Sequence, residues 1–159
     1  MSERTLTLLR HAKSSWKDPT LTDMERPLNK RGRRDAATMG LRLREQGATF
    51  KTIFSSPARR TRETITSMLL TLPAQDTQLT FDQRFYTFER DELLQAMRQL
   101  DDKLNDVMLV GHNPAMHETL CWLTGEAIPE FPTCAAAQLS LGLPHWSEIR
   151  KGCAQLRWV

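Results

Sequence analysis

The stretch DVMLVG, residues 106–111, stays apolar through its middle with no polar residue between. A strand with one wet face alternates apolar and polar side chains. A continuous apolar run instead suits a strand covered on both faces, as in a parallel sheet between helices. TLTLLR (5–10) and KTIFSS (51–56) read the same way, and QLTFDQ (78–83) is a weaker, shorter strand. The intervening segments carry the helical period. LNKRGRRDAATMGLRLREQG (28–47) puts Ala36, Met39 and Leu43 on one side, with Gly47 placed to stop it. RRTRETITSMLLTL (59–72) aligns Ile65, Leu69 and Leu72 and should end at Pro73. RDELLQAMRQLDDKL (90–104) aligns Leu93, Met97, Leu100 and Leu104. Pro114 suits the first turn of a helix running to Gly125. Two more strand candidates, AAAQLSLGL (135–143) and AQLRWV (154–159), close the chain.

Alternating strands and helices predict an α/β fold. The expectation is a three-layer sandwich with a mainly parallel central sheet, helices on both faces, and one domain spanning 1–159. The last connections are too poor in helix to force parallel crossovers, so an antiparallel strand is expected there.

With 40% hydrophobic and 26% charged residues, the chain is neither of the disordered nor of the membrane class. No apolar stretch approaches 18 residues in length, and the start, MSERTLTLLRHAK, has no secretory h-region. The expected location is the cytoplasm, with no membrane partner. The net charge of +3 comes from interspersed charges without a basic stripe, so no nucleic-acid partner is expected. Cys121, Cys134 and Cys153 are widely spaced and never form a CxxC pair, which argues against a disulfide framework or a zinc site.

Ligands of such sheets bind beyond the carboxyl ends of the strands. TLTLLR ends in Arg10 and His11, KTIFSS runs into Arg59, Arg60 and Arg62, and DVMLVG ends in His112. Parallel strands would therefore gather two imidazoles and at least two guanidiniums at one edge. Such a cluster is costly unless an anion offsets it, and guanidinium forks match phosphoryl oxygens. A neutral imidazole can attack phosphorus while arginines neutralise the oxygens, which gives a covalent phosphohistidine hydrolysed by water. The fixed cations supply the charge, so neither metal nor cofactor is expected. His117 and His145 lack such a setting and read as structural or surface residues.

At these residues the chain resembles the histidine phosphatase superfamily, the phosphoglycerate mutase-like fold, and within it the small SixA-type branch of phosphohistidine phosphatases. The RHG signature stands here as RHA (10–12), followed by RPLNKRG (26–32), SSPARRTRET (55–64), VGHNP (110–114) and TGE…FPTCAAAQL (124–139). The resemblance implies that His11 is the phosphoryl-accepting nucleophile. It further implies that Arg10 and Arg60 hold the phosphoryl oxygens and that His112 donates to the developing charge. Among the neighbouring arginines it selects Arg60, leaving Arg59 and Arg62 for the rim. Ser14 and Asn113 are expected as further substrate contacts.

Two departures from the family pattern matter. Ala12 replaces the signature glycine, so a left-handed backbone is not expected there. RFYTFERDEL (84–93) is short where larger members insert a catalytic carboxylate; Glu89 is the best remaining candidate, set against a helix-capping role for it or Asp91. A missing acid hinders departure of an alkoxide more than departure of an imidazole, whose distal nitrogen can already carry a proton. The expected substrate is therefore phosphohistidine in a protein, for instance a carrier domain. Lys13, Trp16 and Lys17, beside and within the 14–32 loop, would touch that partner, against the alternative of an ordinary surface connection with Trp16 packed on the core; Asp23 and Arg26 would form a local ion pair. Two alternatives stay open: a phosphatase for small or Ser/Thr phosphoesters using Glu89, or a phosphate-binding adaptor without turnover. Oligomeric state is not legible.

Overall fold

The computed structural model describes residues 3–72 and 76–159. One mixed sheet of six strands organises the chain: β1 (Arg4–Arg10), β2 (Thr52–Ser55), β3 (Gln78–Phe81), β4 (Asp106–Gly111), β5 (Ala136–Leu141) and β6 (Ala154–Trp158). Their spatial order is β3-β2-β4-β1-β5-β6. The pairs β3·β2, β2·β4 and β4·β1 are parallel, whereas β5 runs antiparallel to both β1 and β6. The expected antiparallel strand is thus β5.

Side-chain alternation along the central strands divides the core into two layers. Leu6, Leu8, Val107 and Leu109 pack with α3 (Arg90–Arg98) and α4 (Ala115–Thr124) through Leu93, Met97 and Leu120. Leu9, Met108, Val110 and Ile53 face the other way, onto α1 (Lys30–Glu45) and α2 (Arg59–Leu69), where Leu43, Ile65 and Met68 meet them. None of the four helices is long and apolar enough to cross a membrane, among the described residues.

The helix ends follow local chemistry. Asn29 caps α1, its side chain accepting from the Gly32 N–H at 2.7 Å, and Gly47 (φ 70°) lies just past the other end. Gly125, also at φ 70°, stops α4. Two boundaries are corrected. Pro73 itself lies outside the described residues, but the helix expected to run to it, α2, already ends at Leu69, where the Thr71 N–H and hydroxyl both turn back to Met68 O. Likewise α3 ends at Arg98, although the apolar period continues to Leu104. Asp101 accepts the Lys103 N–H in a local turn, and Asp102 takes the Trp146 N–H, so the backbone leaves the helix while Leu100 and Leu104 still reach the core.

Because β1 is apolar on both faces, burial alone selects its register weakly. Arg4 supplies what is missing. Its buried guanidinium donates to the carbonyls of Leu143 (3.0 Å), Asp102 (2.9 Å), Leu104 (2.8 Å) and Pro144 (2.6 Å) and to Asn105 Oδ1 (3.1 Å). The start of β1 is thereby tied to the lead-in of β4 and the exit of β5. Arg4→Met should lower unfolding free energy by about 3 kcal/mol, because several buried carbonyls lose a charged donor; urea titration measures it. Gly32 lies against the loop that follows β1, and a Cβ there would meet Lys13 O at 2.1 Å. Gly32→Ala should therefore destabilise by about 1–3 kcal/mol, against the gain of about 1 kcal/mol that helix propensity alone gives. Thermal melts distinguish the two signs.

Candidate active site

The register of the parallel strands brings the chemistry together. Arg10 is opposite Gly111 and Val110 is opposite Ser55, so β1, β4 and β2 end at one level. Two further backbone bonds extend that alignment, from His11 N to Gly111 O (3.1 Å) and from Ser56 N to Val110 O (3.0 Å). His11 and His112 then stand side by side, with ring centroids 5.2 Å apart.

His11 is 7% exposed and oriented at both ends of its backbone. Its carbonyl accepts from Cys134 N at 2.9 Å, where Cys134 adopts φ 63°, a left-handed conformation that disfavours residues with a Cβ. The ring Nδ1 lies 2.7 Å from Ala12 O. A carbonyl only accepts, so Nδ1 carries the proton and Nε2 keeps its lone pair. Burial, reinforced by the charges of Arg60, Arg10 and Arg26, lowers the His11 pKa to about 4 against a smaller opposing effect of the Ala12 bond. The imidazole is neutral at physiological pH.

His112, 1% exposed, is likewise oriented. Arg60 Nη2 lies 3.2 Å from its Nδ1, and its Nε2 lies 2.8 Å from Ser56 Oγ. A guanidinium only donates, so Nδ1 is the acceptor and Nε2–H points to the serine. Burial, then the Arg60 charge and the neighbouring His11, push its pKa down to about 3.

Arg60 is 1% exposed and, besides its contact with His112, is held by Asp23. Nη1 donates to the Asp23 carbonyl (2.6 Å) and Nη2 to its Oδ2 (2.9 Å). Tyr86 Oη donates to the same Oδ2 (2.6 Å), and Arg26 Nη2 lies 3.3 Å from Oδ1. Burial would raise the Asp23 pKa, but the hydrogen bonds from Tyr86 and Arg60 and the Arg60 charge outweigh it and hold it near 2. Arg10 is half-buried, with its Nη1 3.2 Å from Phe131 O, and burial lowers its pKa. The Nε atoms of Arg10, Arg26 and Arg60 are buried without a hydrogen-bond partner. Unpaired charged donors concentrated beside two imidazoles are a setting for an oxyanion.

A model of the histidine phosphatase superfamily (branch 1) matches residues 6–86. The chain belongs to the histidine phosphatase superfamily. An uncharacterized chloroplastic protein of Arabidopsis thaliana is 36% identical over 153 residues, 91% of this chain and 70% of that protein. Among solved structures, SixA of Agrobacterium tumefaciens is 28% identical with a TM-score of 0.80, covering 97% of this chain and 95% of that one. SixA of Nakamurella multipartitia is 26% identical with a TM-score of 0.79, covering 99% and 95%. The protein is a SixA-like phosphatase with a histidine-based mechanism.

The remaining expected residues of this phosphatase divide by position. Arg59 turns outward to Glu63 (3.0 Å), and Arg62 donates to Pro57 O (2.8 Å) with its guanidinium over Phe81; Arg60 alone of the three reaches His112. Ser14 is buried, and its hydroxyl accepts from Arg26. Asn113 ties the start of α4 to the 126–135 segment: Nδ2 donates to Phe131 O (2.8 Å) and Oδ1 accepts from His117 N (3.2 Å). Glu89 is exposed at the N-cap of α3 without a side-chain capping bond, and Asp91 pairs with Arg90. Ala12 is fully buried against Leu28, Ala36 and Cys134, and its φ is not positive. His117 bonds Ile128 O (2.7 Å) and His145 bonds Asp102 (2.8 Å), both away from the cluster. Two concavities, of about 410 Å³ beside Trp122 and about 360 Å³ beside Trp158, contain none of the four clustered residues.

Sequence reasoning missed the part played by Asp23, which spacing presents only as a neighbour of Arg26, and by the aromatic pair Tyr86 and Phe88. Their rings lie 5.4 and 5.0 Å from His112. The signal for the pair is the aromatic-rich RFYTFER, in which three aromatic residues outnumber the single carboxylate, Glu89. Trp16 departs from the core-packed alternative: it is 74% exposed, with Arg26 stacked on its ring at 3.7 Å.

Both imidazoles have folded-state pKa values below the ordinary 6.5. Between those values the unfolded chain binds more protons than the native one, so stability falls as pH is lowered from 6.5 toward 4. A series of thermal melts should show this loss, and the slope should be shallower in His112→Asn.

Proposed function

We propose that the protein hydrolyses phosphohistidine in proteins through a covalent phosphoryl intermediate on His11. The observation that carries this reading is the neutral His11 ring, its Nδ1 proton engaged by Ala12 O and its Nε2 lone pair beside the arginine cluster. Nε2 attacks phosphorus, Arg10 and Arg60 take the phosphoryl oxygens, and the leaving imidazole departs with the electron pair of the broken P–N bond. Water then attacks the phosphoenzyme. A phosphoryl dianion reverses the local balance of charge and favours imidazolium. Once Arg60 Nη2 turns from His112 Nδ1 to a phosphoryl oxygen, that nitrogen can take a proton from solvent and donate it to a neighbouring oxygen.

Two features support a P–N bond over an ester. Asp23, whose carboxylate shares Arg60 Nη2 with His112, stays ionised and cannot protonate an alkoxide. Glu89 makes no side-chain hydrogen bond to the cluster, among the described residues. The SixA relatives bear the name of phosphohistidine phosphatases, and the exposed Trp16, Lys13 and Lys17 offer a docking rim for a phosphorylated protein.

The test is a hydrolysis panel of phosphohistidine protein, phosphoramidate and aryl phosphate with wild type, His11→Ala and Glu89→Gln. His11→Ala should lose about a thousandfold or more of turnover along with any acid-labile label trapped from substrate. Glu89→Gln and added EDTA should leave phosphohistidine turnover intact. Full activity of His11→Ala overturns the mechanism. A strong loss of ester hydrolysis in Glu89→Gln with no P–N turnover moves the substrate to phosphoesters, and tight phosphate binding without turnover moves the protein to an adaptor.

A further inference from the structure

Above the buried floor of His11, His112 and Arg60 stand two groups that reach solvent. The Asp23 side chain is 43% exposed and Phe88 is 40% exposed. They belong to one wall: Tyr86 bonds Asp23 through its hydroxyl, and its ring lies edge-on to Phe88 at 5.7 Å. Both also border His112, Phe88 through its ring and Asp23 through Arg60 Nη2, which is shared between Oδ2 and His112 Nδ1. A carboxylate beside an aromatic face, at the mouth of a cationic floor, is an arrangement that recognises a flat cation bearing an N–H.

From this juxtaposition we propose that Asp23 and Phe88 form the seat of the leaving group and select a protonated imidazole, the Asp23 carboxylate accepting its distal N–H while the Phe88 ring packs on its face. The proposal rests on the phosphohistidine reading above and adds how that substrate is told from other phosphoryl compounds. The chemistry balances without a proton donor from the protein. The P–N bond breaks as the bond from phosphorus to His11 Nε2 forms, the electron pair returns to the leaving nitrogen, and the distal proton makes the departing ring neutral. A carboxylate on that distal N–H keeps the proton in place up to the moment of departure, because an adjacent opposite charge stabilises the cationic form. Asp23, ionised at working pH, is suited to this and not to general acid catalysis. An alkyl phosphate offers neither the ring nor the N–H.

The same carboxylate also positions Arg60, and the experiment must separate the two roles. The probes are phosphoimidazole, which has the ring and the distal N–H, and phosphoramidate, which shares the P–N bond but has neither. In Asp23→Asn and in Phe88→Leu, the ratio of kcat/KM for phosphoimidazole to that for phosphoramidate should fall about tenfold. In Asp23→Asn the alkaline limb of the phosphoimidazole profile should also move to lower pH, since the distal proton is held less firmly. Equal losses on both probes, with the limb unmoved, assign Asp23 to positioning alone and overturn the proposal. An unchanged ratio in the exposed Phe88→Leu variant, where misfolding is not a concern, overturns the part given to the ring. Failure of the phosphohistidine reading looks different: the wild type then cleaves neither P–N probe while cleaving aryl phosphate, and this inference falls with it.

Discussion

One carboxylate sets the electrostatic balance of the site. Arg60 and Arg26 both reach Asp23, with Tyr86 as a third donor, and Arg60 passes its remaining contact to His112. A guanidinium buried as deeply as Arg60 is tolerated only with a partner, since the loss of hydration outweighs what scattered dipoles return. Asp23 provides both a carboxylate oxygen and a backbone carbonyl for it. Remaining partly exposed, it gives up less hydration than the groups beneath it. The turn that carries it, Asp23–Glu25, is itself closed by Thr22 and Glu25 in a reciprocal capping arrangement.

The two imidazoles resolve the rest of the repulsion by not ionising. Burial and the neighbouring guanidiniums drive both below their ordinary titration range. Each has its tautomer dictated by a partner of single capability, a carbonyl for His11 and a guanidinium for His112. The nucleophile is therefore available without a base to deprotonate it. Nucleophilicity here is a product of desolvation, and it depends on the closely packed strands beneath.

What could be read from the sequence was what strands and helices impose by period. The apolar run of β4 announced a parallel sheet, and the residues that follow β1, β2 and β4 had to emerge on one edge once those strands were parallel. Loops were less legible, for physical reasons. Asp23 lies three positions from Arg26, which suggests a local pair, yet its principal partner is Arg60, thirty-seven positions on. That bond follows from how the 14–32 loop folds over α2, which no spacing records. The period of α3 misled in the opposite sense. Leu100 and Leu104 are wanted by the core whether or not the backbone is helical, and the turn at Asp101 delivers them by another path. Ser14 was legible as a small polar residue near the nucleophile, but its burial against Arg26 required the loop itself.

The position of β1 between β4 and β5 bears on how the chain is made. Both neighbours of the earliest strand are encoded far downstream, one at 106–111 and the other at 136–141. During translation, β1 emerges from the ribosome with neither edge covered, and His11 receives its bonds from Gly111 and Cys134 only when those residues follow. A nascent polypeptide thus carries its RHA motif without these backbone bonds until Gly111 and Cys134 have been made, so the surroundings that make the imidazole reactive are supplied by chain translated after it.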